Sequence, residues 1–144
     1  MSSSITRRSD GEGDRLIAAA AHLLPIAGFP ILGPLAIYAW KRSESRFVAF
    51  HALQALGLHL AVSAVGIAWF VLWVLQMGAF ALLGHAGWFA GVALMALLGL
   101  FLLTMFVAMV RAAMEAYRGR EVRYPLIGTP IERFAARHVP AVGL

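Results

Sequence analysis

The chain contains no cysteine, and that absence excludes disulfide frameworks, iron–sulfur clusters, thiolate zinc sites and cysteine nucleophiles. Charge is scarce as well. Charged residues make up 13%, against about 25% in soluble domains, while hydrophobic residues reach 61% against roughly 45–50%. With a mean hydropathy of +0.79, disorder, coiled coil, collagen and an ordinary soluble enzyme are all excluded. Also missing are a nucleotide-binding loop, a catalytic triad, paired catalytic carboxylates and zinc-hydrolase spacing, so no enzyme and no cofactor is expected. What remains for 144 residues is one all-α integral membrane domain. A net charge of +5 carried beside apolar segments points to anionic lipid headgroups on the cytoplasmic leaflet, not to nucleic acid.

Charges divide the chain. A polar tail over 1–15 precedes Leu16–Trp40, which has no Asp, Glu, Lys or Arg. Lys41, Arg42, Glu44 and Arg46 form a charged loop, and Phe47 to Val110 is again free of formal charge. At ~1.5 Å per residue this last stretch is about three bilayer cores long, too short for three spans with turns. Gly78, Gly84, His85 and Gly87 place one turn within Gln76–Trp88, so the expected spans are 53–76 and 88–110, a transmembrane hairpin. Trp69, Trp73 and Trp88 fit one interfacial belt, Tyr38 and Trp40 the other. Pro25, Gly28, Pro30, Gly33 and Pro34 break 16–40 into two short helices, with Pro34 suited to opening the second. This segment is either re-entrant or a third span, its irregular backbone shielded by the other helices. In the re-entrant form all 12 basic residues share the cytoplasmic side; in the other, the three of the N-terminal tail lie outside.

Two short interfacial helices are also expected. Ser43 or Ser45 is placed to cap one starting near Arg46. Thr129-Pro130-Ile131-Glu132 reads as a capping box opening another in the cytoplasmic tail 129–144, with Ile131, Phe134, Ala135 and His138 on one face and Arg133 and Arg137 on the other. Arg7-Arg8 loosely matches a twin-arginine signal, but three acids precede the apolar run and His22 and Pro25 interrupt it, so no cleavage is expected.

The polar residues of the apolar segments are the candidate sites. His51 and Gln54 share a helix face, and Ser63 continues the face of His59. They read either as helix–helix hydrogen-bonding groups or as a polar path between helices. His51 and His59 lie about 12 Å apart along a helix, too far for one metal ion, and no metal site is expected. His22 is expected to bond carbonyls freed by the proline breaks, and His85 and His138 to be solvated. Thr104, Ala108, Ala112 and Ala116 recur every four residues and Gly87 and Gly91 form a GxxxG, faces that let helices approach closely within the chain or in a homo-oligomer. Arg111, Glu115 and Arg118 are placed to pair at the end of the last helix.

Three stretches carry a resemblance: Ala21-His22-Leu23 with Gly33-Pro34-Leu35; Arg46-Phe47-Val48-Ala49-Phe50-His51-Ala52-Leu53-Gln54-Ala55; and Ala116-Tyr117-Arg118-Gly119 followed by Tyr124-Pro125-Leu126-Ile127. Over roughly 16–128 the chain resembles small bacterial multipass proteins distantly related to the membrane subunit of the chloroplast inner-envelope import translocon, a group that includes the MamF-like magnetosome proteins. The family's acid after the glycine matched by Gly119 is here Arg120, with Glu121 following. The resemblance implies a helical membrane protein without catalytic residues, in a bacterial inner membrane or an organelle derived from it, with Phe50, His51, Gln54, Gly119, Tyr124 and Pro125 at signature positions. It implies a part in assembling membrane complexes or organelles alongside other membrane proteins, the alternative being an oligomeric channel or translocation component.

Overall fold

The computed structural model describes residues 11–121, and the element order is α1 (Glu12–Leu23), α2 (Leu32–Lys41), α3 (Arg46–Leu83) and α4 (His85–Tyr117). No strand occurs among the described residues. Tyr124, Pro125 and the expected helix over Thr129–His138 lie outside them. The chain divides into two compact units, one holding 11–59 and 109–121 of the described residues, the other Leu60–Ala108.

Each helix boundary has a local cause. α1 begins four residues before the apolar run, because Gly11 supplies the first carbonyl to Asp14 and Arg15, and Glu12 and Asp14 suit the positive end of the helix dipole. Past its end, Gly28 at φ +92° donates to Pro25 and Phe29 donates to Leu24, a Schellman pattern that satisfies carbonyls the prolines would leave open. α2 starts at Leu32 and places Pro34 third, still in the first turn where a missing N–H costs nothing. Gly33 is needed for another reason: a Cβ there would sit 2.9 Å from Leu24 Cβ.

The helix expected near Arg46 is not separate; it is the first part of α3. Ser45 Oγ accepts from Val48 N–H at 3.4 Å, and no proline follows to stop the ladder. The expected turn over Gln76–Trp88 contracts to Gly84 alone. At φ +55° Gly84 donates to Phe80 and accepts from Trp88, ending one helix and opening the next. Gly78 and Gly87 stay helical, since intrahelical bonding is the only way to satisfy backbone groups away from water. α3 and α4 are both long and apolar enough to cross a membrane.

The core of the first unit is small-residue packing. Ala18 and Ala21 of α1, Val48, Ala52 and Ala55 of α3, and Ala116 of α4 are fully buried, with Ile37 of α2 and Phe47 closing the cluster. The most apolar stretches of α3 and α4 have only 6% of their residues buried, unlike a soluble protein's core helix.

Candidate functional site: a buried imidazole pair and its amide neighbour

The first unit buries three polar side chains completely: His22, His51 and Gln54. His22 comes from the last turn of α1, His51 and Gln54 from the second and third turns of α3. The alanines around them set the approach, because small residues let helix backbones come close enough for short side chains to meet. His22 Nε2 and His51 Nδ1 are 3.2 Å apart, with the rings edge-to-face at 5.4 Å between centroids. One nitrogen donates and the other accepts, so the pair holds at most one positive charge while this bond exists. Phe47 and Phe50 pack edgewise on the His51 ring at 4.6 and 5.6 Å. On its remaining side the ring comes near the Arg120 backbone, yet Nε2 makes no hydrogen bond of ordinary geometry among the described residues. Gln54 is more isolated: neither its Oε1 nor its Nε2 has a partner among the described residues.

The chain past the end of α4 is turned by a glycine. Gly119 at φ +76° donates to Ala116, and Arg120 donates to Glu115, forming a complete Schellman cap. The cap turns the chain so that Arg120 reaches the His51 ring and Gly119 lies against Arg15; a Cβ on Gly119 would be 3.0 Å from Arg15 Nε. Arg118 and Arg120 share Glu115, at 2.8 and 3.4 Å. Arg111, expected in that network, is exposed and is not among its ion pairs.

The other expected positions fall elsewhere. His59 turns to its own helix, its Nδ1 2.8 Å from Ala55 O, and is half-buried, as is Ser63. The four-residue stripe divides: Ala112 and Ala116 are buried, Ala108 is half-buried, and Thr104 is exposed with its hydroxyl on Leu100 O. Gly87 and Gly91 meet α3 within the second unit. A Cβ on Gly87 would lie 2.7 Å from Phe80 Cα, and Gln76 Nε2 donates to Gly87 O. His85 is exposed at the head of α4. No reasoning from spacing pointed to Arg15 or to a His22–His51 bond. The one signal was indirect: the three resembling stretches are those whose residues meet here.

Chemically the cluster is spare. Among the described residues no three His, Asp or Glu side chains converge to hold a metal ion, and no carboxylate belongs to the His22–His51–Gln54 group. It is suited to locking α1 on α3 by a hydrogen bond whose loss is costly where water cannot replace it.

Among the described residues the structure is all-helical, and its two long apolar helices and alanine-lined polar junction are those expected of a small helical membrane protein. Residues 13–131 match the magnetosome magnetite crystal formation protein family, MamF/MmsF, and the chain belongs to that family. No curated protein and no solved structure matches it significantly.

Proposed function

We propose that this protein is a non-enzymatic scaffold or accessory subunit, assembling other membrane proteins in the bacterial membrane from which the magnetosome forms. The observation that carries this reading is the exposed apolar surface of Leu60–Ala108, where Ile67, Phe70, Leu75, Phe89, Leu97, Leu100 and Leu103 are each more than half exposed. Lipid covers such a surface, and so do the helices of partners; the family's part in magnetite crystal formation favours an organising role. In this reading α3 and α4 form a transmembrane hairpin with an uncharged outer turn. α1 and α2 form a re-entrant pair, and the basic loop and tails are cytoplasmic. The closure of His51 onto His22 supports an interaction role over a polar conduit, because groups bonded to each other in a packed core do not line a path.

Purification in mild detergent at native abundance tests the proposal. The expected result is a defined complex with other membrane proteins or further copies of this chain; recovery of free monomer alone contradicts it. A reporter fused before Met1 decides the topology, with a cytoplasmic signal expected.

A further inference from the structure

We propose that the groove between α1 and the end of α4 is a binding site for one glycerophospholipid, an acyl chain lying in the groove and the phosphate on Arg118 and Arg15. The inference rests on the chain's residence in a membrane and is independent of its role as a scaffold.

The groove has a volume of about 710 Å³, within the ~300–1,000 Å³ typical of ligand clefts. Leu16, Ala20 and Leu23 form one wall and Val110, Met114 and Tyr117 the other. These positions follow helical spacing on each element, so the trough runs ~10 Å along both. Arg118 is the charged residue of the lining. Arg15 stands at the same end, since its guanidinium abuts Gly119, the residue after Arg118. The site is therefore apolar along its length and cationic at one end, the complement of an acyl chain joined to a phosphate.

Two features favour a ligand there over a sealed surface. Arg15 Nε is buried with no hydrogen-bond partner among the described residues, a cost that an anion on the same guanidinium would offset. Arg118 spends NH1 on Glu115 at 2.8 Å, while its side chain is 59% exposed and its remaining donors stay available for a phosphate oxygen. Depth fits too. The groove takes the last residues of α4, beginning just before Arg111, the first charge after the apolar run, where span and headgroup region meet. Glu12 and Asp14 in the first turn of α1 oppose excess negative charge, so the phosphate is the recognised group and not a multiply anionic headgroup.

Native mass spectrometry of the full chain in mild detergent, titrated with dioleoyl phosphatidylglycerol, tests the site. The expected result is one retained lipid per chain. Arg15→Gln with Arg118→Gln is expected to reduce retention about tenfold, and Ala20→Trp, which fills the trough, to abolish it. Arg42→Gln, removing an equal charge from the distant loop, is expected to leave it unchanged. Unaltered helicity and elution volume qualify each variant as folded. Equal retention of phosphatidylethanolamine supports recognition through phosphate alone. Equal losses in Arg42→Gln and the arginine pair, or undiminished retention in Ala20→Trp, overturn the proposal. Because the mass of a single chain is read, failure here leaves the scaffold reading intact, and a chain found only as free monomer leaves this site intact.

Discussion

The two compact units use similar residues in opposite ways. In the unit formed by α1, α2 and the near ends of α3 and α4, alanines are buried and polar side chains turn inward, so that His22 meets His51 and Gln54 is sealed beside them. In Leu60–Ala108 large apolar residues point outward almost everywhere, and glycines and Gln76 make the contact between helices. The first unit is shaped by what it buries, the second by what surrounds it. A membrane explains the contrast: with apolar surroundings, no hydrophobic gain comes from hiding leucine, and close packing with interhelical hydrogen bonds is what brings helices together.

Substitutions that separate these two logics should differ sharply. The largest effect is expected for Gly87→Leu, whose Cβ would strike the Phe80 backbone at 2.7 Å; a loss of about 3 kcal/mol is expected from overpacking against a rigid neighbour. Gly99→Leu, on the same helix with nothing within 4 Å of its Cβ position, should change stability by less than about 0.5 kcal/mol. Thermal retention of the detergent-solubilised monomer peak measures both. Next comes His51→Leu, which removes the partner of His22 Nε2 from a sealed core and should cost about 2–3 kcal/mol. Gly119→Ala is expected to cost about 1–2 kcal/mol, combining a left-handed backbone with pressure on Arg15. Protease protection of the α4 end tracks that change. Smallest of all is Gln54→Met, expected to be neutral or slightly stabilising, since the amide it removes bonds no group among the described residues. A large loss there would show that Gln54 has a partner in the membrane, turning a packing residue into a contact residue.

Much of this contrast was legible in the sequence. The uncharged run from Phe47 to Val110 announces two long helices, and Pro25, Gly28, Pro30 and Pro34 announce a break. Their limits were less legible. Gly78, Gly84 and Gly87 look alike in sequence, but backbone groups away from water hold a helix together past any glycine not forced out of it, and only Gly84 leaves. Continuity of Arg46 with the span was hidden for the same reason. For the candidate site, His51 and Gln54 on one face follow from spacing, whereas the partner of His51 lies 29 residues away on another helix. No local period encodes such a pairing. His59 illustrates the opposite error: its spacing suggests membership of the polar face, while its ring is taken by a carbonyl one turn back.

The exposed apolar surface of Leu60–Ala108 is expected to meet protein partners, while the alanine-lined core around His22 and His51 is closed to them. A photo-crosslinking amino acid placed in native membranes at Phe70 or Phe106, both at least half exposed, and at Phe47, which is buried, tests it most directly. Discrete adducts heavier than the monomer are expected from the first two positions and none from Phe47; lipid adducts alone at Phe70 and Phe106, or protein adducts from Phe47, would contradict it.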